Sequence, residues 1–230
     1  MNIDEVFKTQ KIILSKTELK QFSTYSTFLR EYNEKVNLTA ITDPEEIAVK
    51  HFLDSVLPLT FIAEDAENLL DIGTGAGFPG VPMAIMNPKT RVTLLEANGK
   101  KIAFLNELVS RLSLPNVTVL SGRAEDLAAG PLRESFEIVT ARAFAPFSQL
   151  VEYTMPFVSP GGNLLVMKGS SETYEDGASA VEALGGDLED FVEYTLPNGD
   201  MRRLFIIEKI SKTPRKYPRS NALIKKSPLK

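Results

Sequence analysis

A glycine-rich segment between residues 69 and 80 constrains the fold more than any other stretch of the chain. It reads Leu-Leu-Asp-Ile-Gly-Thr-Gly-Ala-Gly-Phe-Pro-Gly. The apolar run Asn68 to Ile72 predicts a β-strand, and the glycines that follow let the backbone turn sharply because no Cβ obstructs it. Val81 to Met86 then predict a helix. We expect a loop whose amides meet a nucleotide-like ligand at the positive end of the helix dipole.

Two ligands are compatible with the spacing of this loop. Gly75, Gly77 and Gly80 satisfy the G-x-G-x-x-G pattern of dinucleotide sites, in which Glu96 would contact the ribose hydroxyls. Asp71 favours S-adenosylmethionine (SAM), because a carboxylate at the end of the first strand would repel a pyrophosphate but attract an ammonium and a sulfonium. A chain of 230 residues is also short for the second domain of a dinucleotide enzyme. We favour SAM and retain a dinucleotide-dependent oxidoreductase as the alternative.

The residues after the loop alternate between predicted strands and helices, which is typical of a parallel sheet covered on both faces. The predicted elements are strands Arg91–Glu96, Val117–Ser121, Phe136–Ala141 and Gly162–Lys168, helices Lys100–Leu112 and Glu172–Leu184, and an antiparallel pair Phe191–Leu196 and Arg202–Lys209. The fold class predicted is α/β: a Rossmann-like class I SAM-dependent methyltransferase fold. Its sheet would be seven-stranded and mostly parallel, with a C-terminal antiparallel hairpin.

A helical region precedes the sheet. Ser15 and Glu18 have the spacing of a capping box, and Asp43 with Pro44 marks a second helix start. We expect residues 1–60 to form a helical extension, 61–210 the SAM-binding core and 211–230 a basic tail, in one domain overall. His51, the single histidine, could act as a general base, but a lone helical histidine is more often structural.

The absence of cysteine excludes disulfides, thiolate metal sites and a cysteine nucleophile. No apolar run in the sequence reaches membrane-spanning length, and residues 1–11 lack the apolar core of a signal peptide. We therefore expect a cytoplasmic monomer that uses neither a metal nor a membrane.

Charge is distributed unevenly along the chain. Residues 201–230 contain ten Lys/Arg and one acid, whereas residues 1–200 contain 16 basic and 29 acidic residues. A basic tail on an acidic body indicates a polyanionic partner, although it could also serve only solubility. We expect an extended tail that follows phosphates, with Tyr217 stacking on an unpaired base. Deleting the residues after Glu208 should then weaken RNA binding and leave SAM binding almost unchanged.

The carboxyl ends of the parallel strands should meet at one edge of the sheet, where such folds bind ligands. This rule brings together Asp71, Glu96, the turn 122–126, Arg142 and Lys168. Glu96 would accept hydrogen bonds from both ribose hydroxyls. Ala124 and Glu125, in the turn, would meet the adenine edge.

The sequence also narrows the reaction. Carbon-5 methylation of pyrimidines needs a cysteine nucleophile, which is absent. Methylation of exocyclic amines usually places an Asp/Asn-Pro-Pro-aromatic motif where this chain reads Ala141-Arg142-Ala143-Phe144. A ring nitrogen such as guanine N7 carries no proton to remove, so positioning could supply most of the catalysis. A non-catalytic RNA-binding module is a third possibility, but it leaves the glycine loop without a role.

Motifs along nearly the whole chain carry a family resemblance. They are Tyr32-Asn33, Asn37-Leu38-Thr39-Ala40-Ile41, Lys50-His51-Phe52-Leu53-Asp54-Ser55, the loop from Asp71 to Gly80, Thr140-Ala141-Arg142-Ala143, Met167-Lys168-Gly169 and Lys216-Tyr217-Pro218-Arg219. With these motifs the chain resembles the small-subunit ribosomal RNA methyltransferase G family, also called glucose-inhibited division protein B. The resemblance implies SAM-dependent N7 methylation of a guanine in the 530 loop of bacterial 16S rRNA, as free RNA or in the 30S subunit.

The resemblance also implies roles for individual residues. It implies SAM contacts at Gly73, Phe78, Ala124, Glu125 and Arg142, with Glu96, Ala97 and Asn98 beside the ribose. Asp71, Gly75 and Gly77 complete the predicted cofactor site. Arg142 and Lys168 are the predicted catalytic residues, between cofactor and guanine. The predicted RNA-binding residues are Lys50, His51, Arg202, Arg203, Lys212, Arg215, Lys216, Tyr217 and Arg219.

Overall fold

The computed structural model describes residues 1–61, 66–142 and 145–229. These residues form a sheet of strands β1 (Asn68–Ile72), β2 (Arg91–Glu96), β3 (Val117–Ser121), β4 (Phe136–Arg142), β5 (Val158–Gly169), β6 (Gly186–Thr195) and β7 (Met201–Lys209). The strand order is β3-β2-β1-β4-β5-β7-β6. Strands β1 to β5 are parallel, and β7 is antiparallel to β5 and to β6. The predicted fold class, a mostly parallel seven-stranded sheet with a C-terminal hairpin, is confirmed.

Helices lie on both faces of this sheet. They are α1 (Ile3–Lys8), α2 (Lys16–Asn33), α3 (Pro44–Glu46), a π-helix (Ile47–Leu53), α4 (Asp54–Val56), α5 (Gly80–Met86), α6 (Gly99–Leu112), α7 (Ala124–Leu127), α8 (Phe147–Thr154), α9 (Ala178–Ala183) and α10 (Asn221–Lys226), with 3₁₀ turns at Leu57–Phe61, Met155–Phe157 and Tyr174–Asp176. In the described part of the chain, no helix is both long enough and apolar enough to cross a membrane.

The N-terminal helices start at the predicted caps and pack against the sheet. Ser15 caps α2 in a capping box with Glu18, and Asp43 caps α3. The fully buried rings of Phe7, Phe22 and Phe52 lie 5.0–5.1 Å apart between ring centroids and share one core with α5 and α6. Aromatic contacts of this kind stabilise a core beyond the area they bury. The division into extension, core and tail stays a prediction.

The opposite face of the sheet is covered by α8, α9 and α10, which share the second core cluster. The sequence predicted one surface helix over Glu172–Leu184, and this prediction is wrong. A 3₁₀ turn and the short α9 occupy the segment, and Val181 is fully buried. Gly177 lies between the turn and the helix. Glycine is required at this position because the ring of Phe147 occupies the space that a Cβ would fill.

The C-terminal segment packs on the body, so the prediction of an extended, free tail is wrong. Lys209, at the end of β7, is fully buried and donates to the carbonyl of Met155 and to the hydroxyl of Thr213. The guanidinium of Arg133 donates to the carbonyls of Thr213 and Tyr217. Tyr217 is itself only 8% exposed, so its ring is not available to stack on a base.

An ion pair between a partly exposed arginine and a buried glutamate holds the end of this segment on the body. Arg219 donates from Nε and Nη2 to the two carboxylate oxygens of Glu152, at 2.8 and 2.5 Å, and its backbone amide donates as well. Glu152 is fully buried in α8, and Ile224 of α10 is fully buried against the same core. The tail is thus held by charge-assisted hydrogen bonds and by apolar burial, which its basic composition does not reveal.

We predict that Arg219→Ala destabilises the chain because it leaves the Glu152 carboxylate buried without its cation. The expected loss in the free energy of unfolding is about 3 kcal/mol, the lower end of the range for a broken buried pair, since Arg219 is partly exposed. Arg215→Ala, at an exposed position of the same segment, should change it by less than about 0.5 kcal/mol. Urea unfolding measures both. Equal stability of the two variants would contradict this account of the tail.

Candidate active site

Asp71 lies beneath the glycine loop and accepts hydrogen bonds from it. Its side chain is fully buried at the end of β1, and Oδ2 accepts hydrogen bonds from the hydroxyl of Thr74 at 2.6 Å and the amide of Gly80 at 2.7 Å. The other oxygen, Oδ1, has no hydrogen-bond partner among the described residues. The side chain lies beneath the loop without exposed surface, and its contact with a ligand stays a prediction.

Most amides of the loop are already bonded within the protein. Gly73 and Thr74 donate to the carbonyl of Leu95, and Gly77 and Phe78 donate to that of Thr74. Because Asp71 takes the Gly80 amide, a carboxylate of the protein occupies the start of α5, where a dinucleotide would place its pyrophosphate. The expectation of open loop amides is wrong, and the same geometry disfavours the dinucleotide alternative.

Glu96 connects the end of β2 to the loop. Its Oε2 accepts from the amide of Gly75 at 3.0 Å, and Oε1 accepts from the amides of Ala97 and Asn98, each at 2.9 Å. A carboxylate offers about four acceptor positions, so roughly one remains for a ligand hydroxyl instead of the predicted two. The carboxylate is held in one orientation by backbone donors that bridge both strand ends.

A cleft of about 500 Å³ opens at the carboxyl ends of β1, β2, β3 and β4; we call it the cofactor cleft. Its lining includes the predicted cofactor residues Gly73, Glu96, Ala97, Ala124, Glu125 and Arg142, together with Lys101, Arg123, Tyr153, Asn221 and Lys225. The predicted residues Asp71, Gly75, Gly77, Phe78 and Asn98 are not part of this lining. Asn98 instead caps α6, its side chain accepting from the amides of Lys100 and Lys101.

A second cleft, of about 680 Å³, lies beside the first; we call it the substrate cleft. It is lined by Ile41, Lys50, His51, Asp54, Arg142, Ala145, Pro146, Met167, Lys168, Gly169, Glu172 and Arg202. Arg142, Ala145 and Pro146 line both clefts. Both volumes fall in the range of about 300–1,000 Å³ that is usual for ligand pockets. Two adjoining clefts with a common wall can hold two reactants next to each other.

Arg142 forms the polar part of that common wall. Its Nη1 donates to the carbonyl of Lys50 at 3.1 Å and to Asp54 Oδ2 at 3.3 Å, and Nη2 lies 3.3 Å from His51 Nδ1. The guanidinium also lies over the Phe78 ring, 5.2 Å from its centroid. These contacts fix the side chain at the end of β4, where the sequence placed it.

His51 is held neutral and has a partner at each ring nitrogen. Arg142 can only donate, so Nδ1 accepts, and Nε2 therefore carries the proton towards the hydroxyl of Thr39 at 2.8 Å. Burial, with the charge of Arg142, lowers the pKa of His51 from 6.5 to about 3. The ring stacks on Phe78, which stacks in turn on Tyr25. This arrangement supports the structural interpretation of His51 over a general base.

Asp54 is a residue of this site that the sequence analysis did not single out. Its Oδ2 accepts from Arg142 at 3.3 Å and from Arg202 at 3.2 Å, and Oδ1 accepts from the hydroxyl of Tyr194 at 3.3 Å. The carboxylate is nearly fully buried. Its place in the motif Lys50–Ser55, three residues after His51 on a helix, was the signal that could have identified it.

Lys168 reaches the substrate cleft from the end of β5. Its ammonium donates to the carbonyl of Ala145 at 2.5 Å and pairs with Glu172 at 2.7 Å. The side chain is almost completely buried, so it can present its charge only towards the cleft. Ala143 and Phe144, the last two of the four residues that stand where other methyltransferases carry an Asp/Asn-Pro-Pro-aromatic motif, lie outside the described residues.

The predicted RNA-binding residues are divided by the structure. Lys50, His51 and Arg202 line the substrate cleft. Lys212, Arg215 and Lys216 are exposed on the C-terminal segment. Arg203 pairs with Glu193 and Arg219 pairs with Glu152, and neither residue lines either cleft.

The sheet order, the glycine loop and the acid at the end of β2 define the fold of the class I SAM-dependent methyltransferases. A SAM-dependent methyltransferase from Aquifex aeolicus matches with a TM-score of 0.54 at 18% identity, over 71% of this chain and 93% of that one. M. jannaschii TYW2, solved in complex with AdoMet, matches with a TM-score of 0.52 at 16% identity, over 88% of this chain and 80% of that one. At these identities the comparisons support the fold alone.

Sequence comparison gives the family. The family model GidB, described as rRNA small subunit methyltransferase G, matches residues 18–187. The ribosomal RNA small subunit methyltransferase G of Lactococcus lactis subsp. cremoris (strain MG1363) is 46% identical over 224 residues, covering 95% of this chain and 94% of that protein. The chain belongs to the rRNA small subunit methyltransferase G family.

We predict that Gly80→Ala disrupts the loop, because its Cβ would stand 2.8 Å from Asp71 Oδ2 and would overlap the side chain of Leu94. The expected loss in the free energy of unfolding is about 1–3 kcal/mol, as for other overpacked sites. Gly99→Ala is the matched control, since nothing lies within 4 Å of its Cβ. Chemical unfolding of both variants measures the difference. If Gly80→Ala is as stable as Gly99→Ala, the loop is not packed as described.

The titration of Asp71 gives a prediction for pH. Burial raises its pKa from 3.8 to about 6, against the opposite effect of the bonds from Thr74 and Gly80. Between pH 4 and 6 the folded chain therefore binds this proton more tightly than the unfolded chain, so stability falls as the pH rises. Asp71→Asn keeps an acceptor for the Gly80 amide but does not titrate.

We expect the difference in the free energy of unfolding, wild type minus Asp71→Asn, to fall by about 2 kcal/mol between pH 4 and pH 7. Urea titrations at single pH steps measure it, and the titration of His51 cancels because both proteins contain it. A difference that does not change with pH would show that folding does not shift the pKa of Asp71, which would contradict the described burial of its carboxyl.

Proposed function

We propose that this chain transfers the methyl group of SAM to N7 of a guanine in 16S rRNA, the 530-loop position that the family resemblance implies. The observation that carries the proposal is the pair of adjoining clefts with Arg142 in their common wall. One cleft presents the carboxylate of Glu96 and small side chains, which suit a ribose and a flat adenine. The other is larger and is lined by basic residues.

The residues present fit SAM. Glu96 keeps acceptor capacity for a ribose hydroxyl, and Ala97 and Ala124 leave room for the purine. The carboxylate of Asp71, one of whose oxygens has no partner, provides negative potential close to the loop. SAM, when bound, supplies an electrophilic methyl group, and the guanine N7 lone pair forms the new bond as the carbon–sulfur bond breaks.

The protein's part in this reaction is positioning. N7 carries no proton, so no base is required, and His51 is held neutral with both ring nitrogens engaged. Bringing two reactants into contact in one orientation can supply about 7–11 kcal/mol of the barrier. Arg142 would have to donate to O6 or to a phosphate, because a hydrogen bond to N7 would block the attacking lone pair.

Two acids offset part of the positive charge that lines the substrate cleft, which suits a guanine ring that becomes cationic. Asp54 lies against both Arg142 and Arg202, and Glu172 lies against Lys168. Each acid offsets a cation that would otherwise repel the methylated ring. The basic side chains can therefore orient the RNA while the two acids reduce their repulsion of the charge that the reaction creates.

The substrate would be the 16S rRNA, free or in the 30S subunit, which implies a cytoplasmic enzyme. Exposed Lys212, Arg215 and Lys216 would add sequence-independent contacts to phosphates. With the C-terminal segment packed on the body, these contacts come from a fixed surface.

The experiment is methyl transfer from labelled SAM to 16S rRNA and to 30S subunits from cells that lack this enzyme, with the modified nucleotide mapped. We expect label at N7 of one guanine. We predict that Arg142→Lys lowers kcat/KM by about 10- to 100-fold, because the ammonium cannot reproduce the contacts of the guanidinium. Arg111→Lys is the control, since Arg111 pairs with Glu107 on α6 and lines neither cleft.

Two outcomes would contradict the proposal. Label on a base other than guanine, or on an exocyclic amine, would exclude the N7 reaction. Wild-type turnover by Arg142→Lys, with an unchanged free energy of unfolding, would show that the guanidinium of Arg142 does not position the substrate.

A further inference from the structure

The C-terminal helix α10 forms part of the cofactor cleft. Asn221 and Lys225 line that cleft beside Ala124, Glu125 and Tyr153. From the sequence, the C-terminal segment was predicted to bind RNA, and its deletion to leave SAM binding almost unchanged. In the structure, the end of this segment lies at the cofactor cleft.

The position of α10 is fixed by an ion pair just before the helix and by a buried residue within it. Arg219, two residues before the helix, is paired with the fully buried Glu152 of α8. Ile224 is fully buried in the core that α8 shares. Asn221 and Lys225 are one helical turn apart and so lie on the same face, next to the buried one. A helix anchored in this way holds both side chains at the cleft.

Asn221 is the residue with a specific orientation. The hydroxyl of Tyr153 donates to Asn221 Oδ1 at 2.5 Å. The amide nitrogen is therefore the part of the side chain left to bind a ligand, and it donates to no acceptor within the described residues. The cleft near Ala124 is where the adenine is expected, and the ring nitrogens of adenine are hydrogen-bond acceptors. An amide donor complements that edge.

We propose that α10 is a wall of the cofactor site and that Asn221 donates a hydrogen bond to a ring nitrogen of the adenine of SAM. Lys225, an exposed residue of the same lining, would cover the mouth of the cleft with its aliphatic stem and keep its ammonium in water. The inference rests on the proposed function, in that the cleft takes SAM. It makes the C-terminal segment a determinant of cofactor affinity in addition to any RNA contact.

The test is calorimetric titration of the full chain with S-adenosylhomocysteine, which has the same adenosyl group and does not react. Asn221→Ala should weaken binding about three- to tenfold, as for the loss of one hydrogen bond. Alanine is a better helix former than asparagine, so α10 should be retained. Leu223→Ala is the control, because Leu223 is an exposed residue of α10 outside the cleft lining; it should bind within twofold of wild type.

Analogues of S-adenosylhomocysteine that lack one ring nitrogen identify which adenine nitrogen accepts the hydrogen bond from Asn221. Wild type should bind one of the 1-deaza, 3-deaza and 7-deaza forms of S-adenosylhomocysteine more weakly, and Asn221→Ala should no longer distinguish that form from the parent. A chain that ends at Ser220 should lose at least as much affinity as Asn221→Ala. If that shorter chain does not fold, the point variant and the analogues decide alone.

The outcomes separate this inference from the proposed function. If wild type binds S-adenosylhomocysteine and methylates rRNA while Asn221→Ala binds as tightly as wild type, α10 has no such role and the function stands. If wild type does not bind S-adenosylhomocysteine, both are overturned.

Discussion

The carboxylate of Asp54 is the contact on which the candidate active site depends. It accepts from Arg142 of β4, Arg202 of β7 and Tyr194 of β6, and so ties the N-terminal helices to three strands of the sheet. Without this acid, two guanidinium groups would lie close together in a largely buried place, which is strongly unfavourable. Asp54 also holds Arg142 against His51 and Phe78. The common wall of the two clefts is therefore held together by an ion-pair network, which would fix the relative position of two ligands bound in those clefts.

Much of the fold could be predicted from local sequence. The bounds of β1, β2 and β3 agree with the structure, because each is a short apolar run that ends at glycine, proline or a polar cap. The helix caps Ser15 and Asp43 were equally local signals. Prediction failed where contacts between residues far apart in the sequence determine the structure. Composition describes the tail as basic and solvated, but Arg219 meets Glu152 across 67 positions of the sequence, and no local pattern contains that pairing.

The sequence predicted the location of the candidate site better than the orientation of its side chains. The rule that ligands bind at the carboxyl ends of parallel strands brought Glu96, Ala124 and Arg142 to one cleft, as the structure has them. It could not show that Asp71 turns beneath the loop, since a strand end gives the position of a side chain but not its partners. It also could not find Asn221, which reaches the cleft only because the tail folds back. These are tertiary contacts between segments far apart in the chain.

The claim that SAM and guanine occupy adjoining clefts is tested most directly by a crystal structure of the full chain with S-adenosylhomocysteine. The account predicts the ribose beside Glu96, the adenine beside Ala124, and the sulfur directed towards Arg142 and the substrate cleft. Adenosyl density in the substrate cleft, or a sulfur atom directed away from Arg142, would contradict it.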